Sequence, residues 1–326
     1  MKKKMINRVS LEGVLYQHNL EERLTGATSK HPGTQYISGT IDVATDNAMK
    51  NIVQVHYTYV TPTTKNGKEN ASYKTLKDII DGKVGVYTDP AVMEKAAKVR
   101  IDTVIGLNEF YSNRSGSEEL VSVPRCEGGF IHFTSSINED EKQRSTFEED
   151  VVIVKVTPKD AVVDENDGTV ITPEKDDIDA RIFNFRNEIL PVHFTVTSKG
   201  AMNYFEGLGA SSKNPIFTKV RGQVVAQQLV RKIAEESAFG DASVREVRTT
   251  NKEYLITWAA MDPYPFGEED TITMEDLVKA GQDRDLMLAG VKKRNDEYQA
   301  SRNATTTNAA PASSVNTAPA QGEYKF

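Results

Sequence analysis

One strand-like signature occurs twice in the chain, as Val55-His56-Tyr57-Thr58 and as Val192-His193-Phe194-Thr195, 137 residues apart. Side chains along a strand alternate between faces. In each copy the valine and the aromatic therefore share one face, the expected core face, and the histidine takes the other. A signature repeated at domain spacing points to the tandem duplication of a small β-rich module. Two looser echoes extend the match. Asn70-Ala71-Ser72-Tyr73-Lys74 is echoed by Asn214-Pro215-Ile216-Phe217-Thr218-Lys219, and Val99-Arg100 by Val244-Arg245.

The surrounding patterns give each module its elements. In the first half, alternation predicts strands over 8–16, around 37–43 and around 53–59. Tyr73, Leu76, Ile79 and Ile80 then fall at helix spacing. A short helix is expected from Asp89-Pro90, with strands near 99–105 and within 120–133. The second half predicts strands over 151–156, 178–185 and 190–196, a helix around 201–208, and strands near 244–248 and 254–258. Three strands, a helix and two strands is the order of an OB-fold barrel. The expected class is therefore mainly β with α (α+β): two tandem OB-like β-barrels, a C-terminal helix and a disordered tail. The first barrel would occupy 1–140 and the second 141–262. A linker and helix follow over 263–300, with Thr273 and Asp276 as the capping pair. The Ala/Thr/Asn/Ser/Pro-rich segment 301–326 is expected to be disordered.

Composition narrows the chemistry. A single cysteine, Cys126, excludes an internal disulfide framework and a thiolate-rich zinc site. The five histidines show no metal-ligand spacing, there is no phosphate-binding glycine loop, and acidic runs such as Glu148-Glu149-Asp150 read as solvated faces. Neither catalysis nor a cofactor or metal is expected. No apolar run is long enough to cross a bilayer, so a cytoplasmic protein without membrane contact is expected. The formal net charge of −7 speaks against a general polyanion binder, although a groove is governed by its local field.

A single nucleic-acid strand asks for aromatic platforms and nearby cations, and three segments supply them. Arg181, Phe183, Phe185 and Arg186 fall on one predicted strand; the two rings are read either as core or, if Ile182 points inward, as an outward stacking pair. Lys213, Phe217, Lys219 and Arg221 fall in a loop-like stretch, and Tyr73 lies among Lys74 and Lys77. His56 and His193 are left open between ligand contact and plain exposure.

The segments Arg8-Val9-Ser10-Leu11-Glu12-Gly13-Val14-Leu15-Tyr16, Asn51-Ile52-Val53-Gln54-Val55-His56, 214–219 and 237–246 together resemble tailed-bacteriophage proteins described as OB-fold single-stranded DNA-binding proteins. The resemblance covers most of 5–300. It implies coating and protection of single-stranded DNA (ssDNA) during phage replication or recombination, in a bacterial cytoplasm. A flexible tail ending in Phe326 is similar in layout to bacterial relatives that recruit replication and repair proteins through an acidic aromatic tip. Here Lys325 departs from that pattern. Self-association is left open. The rival reading is a virion structural or interaction protein with no affinity for DNA.

Overall fold

The computed structural model describes residues 5–112, 118–163, 170–235, 243–268 and 271–307. The first module contains β1 (Asn7–His18), a short β2 (Glu21–Leu24), β3 (Gln35–Ala44), β4 (Ile52–Val60), α1 (Ala71–Ile80), β5 (Lys98–Ser112) and β6 (Glu119–Thr134). β1 pairs antiparallel with β3, β3 with β4, β5 with β6 and β1 with β5, while β4 and β6 close the ring in parallel. That closed order, with the helix between the third and fourth barrel strands, is an OB barrel.

The second module repeats it. β7 (Ser145–Lys159) is followed by a small hairpin of β8 (Val162–Val163) and β9 (Val170–Thr172), then β10 (Lys175–Phe183), β11 (Ile189–Val196), α2 (Lys199–Gly207), β12 (Ile216–Glu235) and β13 (Ser243–Ala259). β7 pairs with β10 and β12, β10 with β11, and β12 with β13, all antiparallel; β11 meets β13 in parallel at Thr195 and Leu255. Val55 faces Ile41 in one barrel and Val192 faces Ala180 in the other; Tyr57 and Phe194 are both buried. The repeated signature is thus the third strand of each barrel, inward at its valine and aromatic.

The looser echoes do not survive. Asn70 is the N-cap of α1, accepting from the Ser72 amide at 3.1 Å, whereas Asn214 lies in the turn before β12. Val99 is on the fourth strand of its barrel and Val244 on the fifth. The fourth strand of the second barrel is β12, so the stretch 213–222 is mostly strand and not loop. The expected strands at 244–248 and 254–258 are one continuous β13. No α-helix starts at Asp89-Pro90; a 3₁₀ turn forms at Met93–Lys95 instead.

The barrels are joined edge to edge. β1 and β7 pair antiparallel from Asn7–Glu149 to Leu11–Ser145. Amides of the first barrel also bond to carboxylates of the second, from Ile6 to Asp150 at 2.9 Å and from Arg8 to Glu149 at 3.2 Å. Eleven strands thereby form one sheet, and a single apolar cluster runs through both barrels.

A second cluster lies outside the second barrel. Val152, Phe183, Ile189 and Phe217 point away from the barrel interior and are covered by Met5, Ile272, Ala280 and Leu277. Tyr264 and Phe266 flank Phe217 with centroids at 5.3 and 5.9 Å. The covering segment leads into α3 (Met274–Thr307), capped as expected: the Asp276 amide donates to the Thr273 hydroxyl at 3.0 Å, and the Thr273 amide to the Asp276 carboxylate at 3.1 Å. α3 runs past the expected end, so residues 301–307 are helical; the rest of the expected disordered tail lies outside the described residues. Among the described residues no helix is long and apolar enough to cross a membrane.

Candidate nucleic-acid interface

The structure disperses the residues picked out in the sequence. Phe183 and Phe217 are both fully buried in the second cluster. Alternation does turn Phe183 out of the barrel, but the 264–280 segment covers that face, so neither ring can receive a base. β10 ends at Phe183, and Phe185 lies beyond it in the turn to β11, 79% exposed with the Arg186 guanidinium 5.1 Å over its ring. The two phenylalanines are therefore not a pair on one face. Arg181 is half-buried; burial pulls its pKa down, Asp179 opposes this, and the nearby Arg284 adds to it.

Tyr73, Lys74 and Lys77 stand on α1 in a carboxylate network. The Tyr73 hydroxyl donates to Glu22 at 2.7 Å, and burial together with that bond raises its pKa to about 12. Lys74 reaches Asp78 at 2.8 Å, and Lys77 lies 3.0 Å from Glu22 and also contacts Asp81. The bonds from Lys74 and Lys83 hold Asp78 down at about 2. These lysines, like Arg8 and Arg221 below, have carboxylate partners, and they stand on α1 rather than on the strands between the barrels.

Lys219 and Arg221 lie at the seam between the barrels. Residues paired in neighbouring strands face the same side of a sheet, so the registers can be followed across β6, β5, β1, β7, β12 and β13. One row runs Phe130, Asp102, Ser10, Thr146, Gln223. Beside it run Arg8, Glu148, Arg221 and Trp258. Contacts agree with the registers: Arg8 meets Asp102 at 3.1 Å, Arg221 meets Glu148 at 3.0 Å, and the Arg221 guanidinium lies 4.8 Å over the Trp258 ring. A cleft of about 510 Å³ opens here, lined among others by Arg8, Lys142, Thr146, Arg221, Gln223 and Trp258.

Two exposed rings bracket this face, Phe130 at 65% exposure and Trp258 at 45%. Five strand spacings of about 4.8 Å place them roughly 24 Å apart along the sheet. Arg8, Arg100, Lys142, Lys219 and Arg221 share this face with Glu12, Asp102, Glu148 and the buried Asp150 opposite Lys219. Burial pushes the Asp102 carboxyl up, but the bonds from Arg8 and Ser10 outweigh it and leave the pKa lowered. At Glu148 burial is likewise outweighed, by Arg221 and Lys219. Of the sequence candidates only Lys219 and Arg221 belong to this face; Lys213 is exposed in the turn before β12.

The histidines separate as well. His193 is exposed and touches Asp179. His56 is half-buried, and burial, with the charges of Arg125 and Lys252, lowers its pKa to about 4, so it is neutral at pH 7. Among the described residues no group of histidine, cysteine and carboxylate side chains is arranged to hold a metal ion.

A family model described as YorF matches residues 5–295. No curated protein matches the chain. Among solved structures, a deletion and point mutant of the single-stranded DNA binding protein from Thermus aquaticus is 10% identical, with 81% of this chain and 99% of that chain covered and a TM-score of 0.40, a likeness too distant to carry weight.

Proposed function

The chain belongs to the YorF family, whose match runs through both barrels and most of α3, and from that unit we propose that the joined barrels bind ssDNA without strong sequence preference. The observation that supports this reading is the seam face: exposed Phe130 and Trp258 at its two ends, with Arg8, Arg100, Lys142 and Arg221 between them. Rings take up base faces whatever the base, and guanidinium and ammonium groups follow the phosphates. Arg186 with Phe185, Arg181 and Lys213 are secondary candidates on the second barrel. Protection of ssDNA in phage replication or recombination, in the host cytoplasm, follows from the sequence resemblance and is the setting we assign to the activity.

The test uses Trp258, the sole tryptophan of the chain. Titration with oligo-dT should quench its fluorescence in step with the anisotropy of a labelled strand. Four seam cations engaging phosphates give a log–log salt slope of about −3, at roughly −0.7 per phosphate for a single strand. Phe130→Ala and Trp258→Ala should each weaken binding by about 1–3 kcal/mol. Absence of binding at low salt refutes the reading and favours the virion-protein alternative.

A further inference from the structure

The ladder registers relate the two halves of the seam face by a local two-fold axis. Val9 faces Phe147 in the β1–β7 ladder, and on either side of that pair Arg8 faces Glu148 and Ser10 faces Thr146. A half-turn about an axis normal to the sheet at the Val9–Phe147 pair exchanges β1 with β7, placing Ser10 on Glu148 and Arg8 on Thr146. Outward from Ser10 the next residues are Asp102 on β5 and Phe130 on β6; outward from Glu148 they are Arg221 on β12 and Trp258 on β13. Phe130 and Trp258 therefore occupy equivalent positions. Both ladders break register at the same place, between Asp102 and Val104 in one and between Arg221 and Gly222 in the other. Arg100 and Lys219 correspond in the same way, each two residues before the break. The axis does not superpose the two ion pairs, Arg8–Asp102 at 3.1 Å and Arg221–Glu148 at 3.0 Å, because it places Asp102 on Arg221; what it relates are the rings and the cations Arg100 and Lys219.

A DNA strand has a direction, and a half-turn about an axis normal to the sheet reverses every direction within the sheet. One continuous strand therefore cannot meet both half-sites in the same manner. Two strands of opposite polarity can meet Phe130 with Arg100 and Trp258 with Lys219 in the same manner. Resting on the ssDNA reading above, we propose that the seam face holds two single strands side by side and antiparallel, the relative direction complementary strands need in order to pair. The further function is strand annealing, with two ssDNA segments as joint substrates. No bond is made or broken; the protein supplies alignment and screens the repulsion between the two backbones with the seam cations.

Two measurements on the full chain test this. The first is stoichiometry by native mass spectrometry with tetranucleotide oligo-dT, at the short end of what one barrel accommodates. Two tetranucleotides per chain are expected, and one for either Phe130→Ala or Trp258→Ala. The second is the annealing rate of complementary labelled oligonucleotides by energy transfer. The wild-type chain should raise the rate; either alanine substitution should return it to the protein-free value, and Trp258→Phe should restore it. A single tetranucleotide per chain with oligo-dT binding intact overturns the two-strand proposal and leaves the binding reading standing. So does annealing that ignores the loss of one ring. Failure to bind oligo-dT at all overturns both.

Discussion

Replacing Phe183 with alanine separates packing from stacking. Phe183 is fully buried among Met5, Val152, Ile189, Phe217, Ile272 and Ala280. Removing a buried phenylalanine costs about 3–5 kcal/mol, from lost transfer free energy and the cavity left behind. One wall of this site is the rigid sheet of β7, β10 and β12, which cannot collapse inward without breaking ladders. The other wall is the 264–280 segment, which can settle partway into the gap, so the lower end, about 3 kcal/mol, is expected. Unfolding in urea followed by circular dichroism measures the loss, and oligo-dT anisotropy, taken where the variant is fully folded, measures binding. The expected pattern is a large stability loss with affinity unchanged, and the converse for Trp258→Ala. A Phe183→Ala chain of wild-type stability that binds ssDNA about tenfold more weakly would refute this account of the second cluster. Phe183→Leu, which refills most of the volume, should recover most of the stability and keeps the test usable if the alanine variant fails to fold.

Glu149 is fully buried at the seam, and burial, with Asp150 and Cys126 close by, raises its pKa well above 4.5. Its raised folded-state pKa makes its contribution complete below the unfolded pKa and lost as pH rises through the folded value. The stability gap between Glu149→Gln and wild type should therefore shift in favour of the variant as urea midpoints are compared from pH 5 to pH 8; parallel pH profiles would contradict this. Gly222→Ala should destabilise the seam by more than 1 kcal/mol, because a Cβ there would stand 1.9 Å from the Leu255 carbonyl oxygen and 2.6 Å from the Phe147 ring; the urea midpoint is the readout. Asn70→Ala removes the cap of α1 and should cost about 1 kcal/mol in the same assay. Lys74→Ala and Lys77→Ala should leave oligo-dT affinity unchanged, since both stand on α1 and not on the seam face.

Alternation made the third strand of each barrel legible, because Val55, Tyr57, Val192 and Phe194 lie in a local pattern that one core face fully explains. The Thr273–Asp276 cap was legible for the same reason: its partners are three residues apart. β12 was hidden, since its polar residues Lys219 and Arg221 answer to the seam, an environment made by strands about seventy residues earlier and more. In the sequence Phe217 reads as a DNA contact and Phe183 stays open between core and stacking, because a segment from 264 onward covers them, and strand periodicity reports only which side a ring faces, never what lies there. Trp258, Phe130 and Arg8 passed unnoticed for a related reason. None sits in a cluster along the chain, and only the ladders from β6 to β13 bring them onto one surface. The one signal available was the uniqueness of Trp258 itself.

The β1–β7 ladder also bears on how such a chain is made. β1 is synthesised first, yet one side of its Asn7–Leu11 stretch has no partner until Ser145–Glu149 has left the ribosome. For more than a hundred residues of synthesis β1, whose Val9 and Leu11 belong in the shared core, carries an open edge on that side. A nascent chain held at that stage would present its edge to any neighbouring copy, and the antiparallel self-pairing of two such edges would follow the same geometry that β7 later provides. Translation speed up to the end of Ser145–Glu149 should therefore govern yield, and slowing it should raise the fraction of chains lost to association before folding is complete.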